Sequence, residues 1–276
     1  MKILVTGASG FIGRGVVKAL VRNGDEVIAT DFCCKGVTSA VKCVEVDLFE
    51  VEDPYTFFGK PDVLLHLAWR DGFVHNSGNH MNDLPKHYVF IKTMIESGMS
   101  QICIMGSMHE VGFFEGSIDE NTPTNPQSLY GISKNALRQT TELLIEHNTI
   151  LQWIRGFYIV GNEAVGNSIF SKIVQAERAG NTEFPFTQGI NQFDFIDYDD
   201  FCEQVVAVVQ QKKVIGIINC CSGSPISLAE RVERFIKDNR FEIKLKYGAF
   251  PDRPYDSKAI WGNNQKIQQI MNNKGI

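Results

Sequence analysis

The first thirteen residues, MKILVTGASGFIG, restrict what this chain can fold into more than any other stretch. A short apolar, β-prone run, Ile3-Leu4-Val5-Thr6, stops at Gly7. Gly10 and Gly13 follow, and a helical pattern then continues through Val16, Val17, Leu20 and Val21. The order predicts strand, glycine turn, helix. Gly7 permits a tight turn, Gly10 lets backbone approach a phosphate, and Gly13 lets the helix pack on the strand. The free N–H groups and positive dipole end of the helix then face an anion. A glycine triplet alone is an ordinary turn signal; the strand before it and the helix after it make it a dinucleotide site.

A second strand is predicted over 26–30, ending at Asp31, 18 residues beyond Gly13. A carboxylate there can accept hydrogen bonds from ribose 2′ and 3′ hydroxyls and would repel a 2′-phosphate. No basic residue follows immediately, although Lys35 is near, so NAD is favoured over NADP.

The 276 residues allow one large domain, or one domain with a smaller lobe. The net charge of −5, with no basic run, argues against a nucleic-acid surface. No signal peptide is read, and no stretch of about 18 apolar residues offers a membrane span. Seven cysteines include the adjacent pairs Cys33-Cys34 and Cys220-Cys221, which suit neither a disulfide framework nor a zinc site. They are expected to be reduced, mostly buried thiols of a cytoplasmic protein, with no metal bound.

Further strands are predicted at 43–46, at 62–67 as a nearly continuous apolar run, at 101–105 leading into Ser107, and at 151–154. Helices are predicted over 82–98 and 128–147, and Pro123 and Pro126 exclude a helix from the loop 112–127. Strands and helices alternate, so a parallel sheet covered on both faces is expected. His75 and His80 read as loop residues. Beyond Gly161 the rhythm changes. The stretch 161–276 is expected to be mainly a substrate lobe, with about 193–220 returning to the sheet.

Tyr130 and Lys134 lie four apart near the start of a helix, so they share a face. Alone, such a pair is a surface tyrosine and lysine. Here it follows a strand ending in Ser107, in a chain that already carries the dinucleotide turn. Together the three suit proton transfer beside a nicotinamide. A phenol ionises near pH 10, and lowering that to about 7 takes roughly 4 kcal/mol of selective phenolate stabilisation. A nearby ammonium and oxidised nicotinamide can supply it. Tyr130 would move the proton, Lys134 would tune it and hold the cofactor ribose, and Ser107 would orient the reacting oxygen.

TGASGFIG, Asp31, Asp47-Leu48, HLAW at 66–69, Ser107, YGISK at 130–134 and WIRGFYIVG at 153–161 resemble the extended short-chain dehydrogenase/reductases. Within them the chain is similar to the NAD-dependent epimerase/dehydratase family that acts on nucleotide sugars. The resemblance covers nearly the whole chain. It implies an α/β, doubly wound (Rossmann) parallel sheet over 1–160 with a smaller C-terminal substrate lobe. It also implies that Gly7, Gly10, Phe11, Ile12 and Gly13 form the pyrophosphate turn and that Asp31 holds the adenosine ribose. Asp47 and Leu48 would flank the adenine, and Leu67, Ala68 and Trp69 would line the cofactor cleft. Ser107, Tyr130 and Lys134 would be catalytic. Met108, His109, Tyr158, Asn162 and Arg253 are the further candidate substrate contacts. A homodimer through the Tyr130 helix is implied too, with Ala136, Leu137, Leu143 and Leu144 as its apolar stripe.

The departures from the family choose among its reactions. The 4,6-dehydratases carry an Asp-Glu pair directly after the catalytic hydroxyl residue; here Met108 and His109 stand there, and methionine cannot move a proton. Glu110 comes one position late, where it would line the cleft. Tyr158 replaces an asparagine that contacts substrate phosphate in many epimerases, and Val160 replaces the family tyrosine. The expected function is reduction at C4 of a nucleotide-linked 4-keto-6-deoxy sugar. The alternative is a nucleotide-sugar 4-epimerase with tightly held NAD. A non-catalytic, nucleotide-sensing protein on the same fold is a third reading, which the complete catalytic set disfavours.

Overall fold

In a computed structural model of the protein, residues 1–145, 149–161, 168–251 and 257–273 are described. Asn162 and Arg253 lie outside them. The chain begins with β1 (Lys2–Thr6), α1 (Phe11–Arg22), β2 (Glu26–Asp31), β3 (Lys42–Glu45), α2 (Pro54–Phe57), β4 (Val63–His66) and α3 (Asn79–Glu96). It continues through β5 (Gln101–Ser107), β6 (Gly116–Ile118), α4 (Leu129–Leu144), β7 (Ile150–Gly156), β8 (Tyr158–Val160), α5 (Ile169–Arg178) and β9 (Glu183–Pro185). The last part holds β10 (Gln192–Asp197), α6 (Tyr198–Val209), β11 (Gly216–Cys220), β12 (Pro225–Ser227), α7 (Leu228–Asp238), β13 (Lys244–Lys246), β14 (Ala259–Gly262) and α8 (Gln265–Asn273).

Seven strands form one parallel sheet in the order β11-β7-β5-β4-β1-β2-β3. This is the doubly wound arrangement, and its order reverses between β1 and β4, where such sheets open a crevice at the strand C-termini. The run 63–66 and all of β5 are buried, which is why they are apolar without alternation. One face of the sheet packs α1, α6 and α8 through Val16, Val17, Leu20, Val205, Val208, Ile267 and Ile270. The other packs α3 and α4 through Phe90, Ile91, Met94 and Leu137. Pro85 sits inside α3 without ending it.

A second sheet, in the order β12-β10-β14-β6 with β8 beside β10, makes the lobe. Buried Asp194 fastens it, accepting from the backbone N–H of Ser222 (2.8 Å), Gly223 (2.9 Å) and Gly262 (3.0 Å). The strand β10, expected to return to the main sheet, therefore stays in the lobe. Of that stretch, α6 and β11 return and β10 does not, because the three backbone donors around Asp194 hold β10 against β12 and β14. Ahead of residue 160, β6 and β8 already belong to the lobe.

The cysteines also differ from expectation. Cys34 and Cys43 form a disulfide, with Cα atoms 6.0 Å apart, across the connection between β2 and β3. Cys33 is exposed and free, and Cys103, Cys202, Cys220 and Cys221 are buried thiols. The two pairs adjacent in sequence do not bond within themselves; Cys34, in the connection after β2, bonds Cys43 in β3.

Candidate active site

The glycine turn has the geometry its sequence requires. Gly7 has φ +69°, and a Cβ on it would lie 2.6 Å from the Ala68 nitrogen. A Cβ on Gly13 would lie 2.2 Å from the Gly7 carbonyl oxygen. The chain ends of β1 and β4 thus meet with no room for a side chain. Helix α1 starts at Gly10 with no side-chain cap and no carboxylate in its first turn. Its open N–H groups are fit for a pyrophosphate. The Phe11 ring lies 4.6 Å from that of Tyr198, whose hydroxyl donates to the Phe11 carbonyl, so Phe11 serves the turn through its backbone. Asp31 closes β2 beside the turn, where it accepts from the Ser9 N–H (3.0 Å) and hydroxyl (2.7 Å). Asp47 accepts from the Phe49 N–H at 3.0 Å. Leu48, expected to flank an adenine, instead puts its side chain in the core with Leu4, Leu64 and Phe90, because a branched apolar chain next to that cluster gains more by burial.

At the end of β5, Ser107 starts a short 3-10 turn over Met108–Glu110. It caps the turn, its hydroxyl accepting from the His109 N–H at 3.3 Å, and Glu110 reaches back to accept from the Ser107 N–H at 2.6 Å. Ser107-x-x-Glu110 is a capping box. Its sequence signature was present and was read instead as a misplaced dehydratase acid. Glu110 does not line the cleft. It is fully buried, accepting from Trp153 Nε1 (2.9 and 3.0 Å) and facing the Arg155 guanidinium at 3.5 Å. Two buried donors make the inward position the satisfied one. Met108 is also corrected: its side chain packs with Val111, Ile118, Phe157 and Ile260 between sheet and lobe, not in the cleft.

Helix α4 brings Tyr130 and Lys134 to this turn. Ser128 caps it by accepting from the Gly131 N–H at 3.1 Å. A Cβ on Gly131 would lie 2.4 Å from the His109 carbonyl oxygen, so only glycine allows this approach. Burial pushes the Tyr130 phenol up to about 12; the Ser107 hydroxyl works the other way and the Glu110 charge adds to the rise. Lys134 is fully enclosed. Its Nζ donates to the Met105 carbonyl oxygen at 2.8 Å and sits 3.8 Å from the centre of the Trp69 ring. Burial draws its ammonium down to about 7, against the pull of the Glu110 carboxylate. Ala68 donates its N–H to Thr6 Oγ1 at 3.3 Å, and Leu67 packs on the core beside it.

Five of the six histidines gather around Trp69 and Tyr130. Their aromatic neighbours come from β4, the loop after it, α3 and the 108–110 turn, so no local pattern announced them. His80, read as a loop residue, is buried in the first turn of α3 and accepts from Trp69 Nε1 at 3.0 Å. His75 does lie in a loop, but its ring stacks on Tyr130 at 5.5 Å. Tyr158 is apart from these groups, its ring 4.8 Å from Phe193 in the lobe. Among the described residues, no three His, Cys, Asp or Glu side chains are placed to hold a metal, and no helix is long and apolar enough to cross a membrane.

The arrangement sets a hydroxyl, a phenol and an ammonium beside a turn shaped for a dinucleotide. A model of the NAD dependent epimerase/dehydratase family matches residues 3–221. The dTDP-6-deoxy-L-talose 4-dehydrogenase (NAD(+)) of Aggregatibacter actinomycetemcomitans is 43% identical over 271 residues, 95% of this chain and 99% of that protein. Two solved structures share the fold. The UDP-glucuronic acid 4-epimerase from Bacillus cereus, in complex with UDP-glucuronic acid and NAD, has a TM-score of 0.83 at 20% identity, covering 99% of this chain and 93% of that one. The UDP-N-acetylglucosamine 4-epimerase from Methanobrevibacter ruminantium M1 has a TM-score of 0.84 at 17% identity, covering 98% and 91%. With a family model matched over most of its length and a relative at 43% identity across nearly all of it, the chain belongs to the NAD dependent epimerase/dehydratase family, and NAD is its cofactor.

Proposed function

We propose that this protein interconverts the 4-hydroxyl and 4-keto forms of a nucleotide-linked 6-deoxy sugar, passing a hydride between C4 and NAD. The observation that carries the reading is the Ser107, Tyr130 and Lys134 group standing without dehydratase acids. Met108 faces the core and Glu110 is locked to Trp153 and Arg155. The 43% identical dehydrogenase supports the choice of C4.

Bound NAD supplies the hydride acceptor, or as NADH the donor. Ser107 donates a hydrogen bond to the C4 oxygen and holds it toward Tyr130. Tyr130 gives its proton to that oxygen in reduction and takes one from the hydroxyl in oxidation. Lys134 offsets the phenolate charge, and Trp69 and the Met105 carbonyl hold its ammonium in place.

The experiment is NADH oxidation by the purified protein with UDP-, dTDP-, GDP- and CDP-linked 4-keto-6-deoxy sugars. Net oxidation is expected with at least one, and Tyr130→Phe should lower kcat by about 10²-fold or more. Conversion of UDP-glucose to UDP-galactose without added reductant, and no net NADH use, would make the protein an epimerase instead.

We also infer a homodimer, in the cytoplasm where NAD and nucleotide sugars are held. Leu137 is buried under α4 and cannot take part, which revises the stripe read from the sequence. The outer faces of α3 and α4 present Met81, Val89, Ile132 and Leu143 instead, and Leu143 is 87% exposed. Sedimentation should give a dimer for the wild type and a monomer for the Val89→Glu, Leu143→Glu double variant. A monomeric wild type would sink the idea.

A further inference from the structure

The five histidines divide by what their ring nitrogens do. His66 bonds Thr6 Oγ1 at 2.8 Å and His87 at 2.9 Å. His80 accepts from Trp69 on Nδ1, so its Nε2 carries the proton that meets the Val74 carbonyl oxygen at 3.0 Å. These rings are fixed parts of the wall. For His75 and His109 the described residues supply ring contacts and no side-chain hydrogen bond. Their rings meet at 4.4 Å, and both contact Tyr130. His75 is stacked on it within 13° of parallel, and His109 is turned edge-on with centroids 6.1 Å apart. His75 is about half-buried on its loop and His109 lies deeper, behind it.

Burial lowers His109 to about 4, and it lowers His75 as well. Both are therefore neutral near pH 7, the state in which an imidazole is donor at one nitrogen and acceptor at the other. The charged and titratable groups around them are Lys134 beyond Trp69, Glu110 behind Ser107, His80 across Tyr130, and Asp71 with Arg70 on the loop that carries His75.

A closed epimerase cycle returns the Tyr130 proton to the oxygen it came from. Net reduction does not, since each turnover consumes one proton from solvent. Resting on the oxidoreductase reading above, we propose that His75, held in its stack by His109, carries that proton between solvent and Tyr130. In reduction, the phenol O–H bond breaks as the C4 oxygen takes the proton, and a phenolate remains. The His75 N–H then gives its proton to the phenolate oxygen through one water, since the stacked ring lies alongside the phenol. The other His75 nitrogen takes a proton from solvent, and the ring is neutral again. One proton enters for each hydride used, and oxidation runs the same steps in reverse. His75 touches the proton carrier and not the sugar, so it is a positioning and relay residue.

The test uses full-length protein with the sugar that supports NADH oxidation. His75→Phe keeps a flat ring on Tyr130 and removes the nitrogens; His75→Gln keeps hydrogen bonding but cannot relay. Both should melt with the wild type and lose kcat by about 10-fold to 10²-fold with little change in KM. Added imidazole should restore the kcat of a third variant, His75→Ala, which leaves the ring's space open, in proportion to its concentration. The solvent deuterium isotope effect on kcat should rise in the first two variants. An unchanged kcat overturns the relay. So does a raised KM at constant kcat, which would make His75 a substrate contact, or a loss that imidazole does not rescue. A wild type that oxidises no NADH with any sugar overturns the oxidoreductase reading itself, and the relay with it.

Discussion

Ser107 is held by a residue buried behind it. Glu110 accepts its N–H at 2.6 Å while buried among Trp153, Arg155 and Arg138. Glu110→Gln would keep the shape and remove the charge, leaving the Arg155 guanidinium buried without its counter-ion. Breaking one partner of a buried pair costs about 3–5 kcal/mol. Calorimetry should show that loss, and kcat should fall with it as Ser107 loosens. A variant that melts with the wild type would mean that Arg155 is balanced by the Asp119 carbonyl alone. At this scale the sequence was readable where chemistry prescribes the residue type: Ser107, Tyr130 and Lys134 stand out because a hydroxyl, a phenol and an ammonium suit the proposed proton transfer. Glu110 was misread because its partner Trp153 lies 43 residues away, and the ring contact between His75 and Tyr130 is equally long-range.

Among the connections, the segment between β2 and β3 has no helix or strand of its own and carries a covalent tie. It follows Asp31, which bonds Ser9 of the glycine turn, and Cys34–Cys43 closes it over a separation of 9 residues. Such a loop contributes about 2–3 kcal/mol through the unfolded chain. Cys43→Ser should lose that amount in urea unfolding under oxidising conditions. Dithiothreitol should bring the wild type down to the variant and leave the variant where it is. Equal stability of the two without reductant would show that the tie contributes nothing. The first strand, turn and helix were legible because turn sterics and helix electrostatics are local. Strand β6 was not, since three residues become a strand only by pairing with β14 at Ile260–Gly262.

For the whole molecule, the buried imidazoles set an acid limit. Burial takes His66 to about 3 and His109 to about 4, and it holds His87 far below its ordinary value. In the unfolded chain each binds a proton near pH 6.5. Their folded values are depressed, so the unfolded state holds more protons between pH 6.5 and about 4, and stability is lost as pH falls through that window. Each contributes up to about 1.4 kcal/mol per pH unit. Asp53 and Asp71, held below the carboxylate range mainly by hydrogen bonds, act only further down. The melting temperature should drop steadily from pH 6.5 to 5, and a flat profile would contradict the neutral, buried rings.

The lobe takes β6 and β8 from before residue 161, and the main sheet takes back α6, β11 and α8 from after it. Neither part is a cassette. A fragment cut at that point would lose a strand from the sheet and two from the lobe, so limited digestion should release no folded half. A lineage that needs a different sugar cannot graft a new lobe onto the old cofactor half. It has to change side chains in place, on the loops that surround Tyr130.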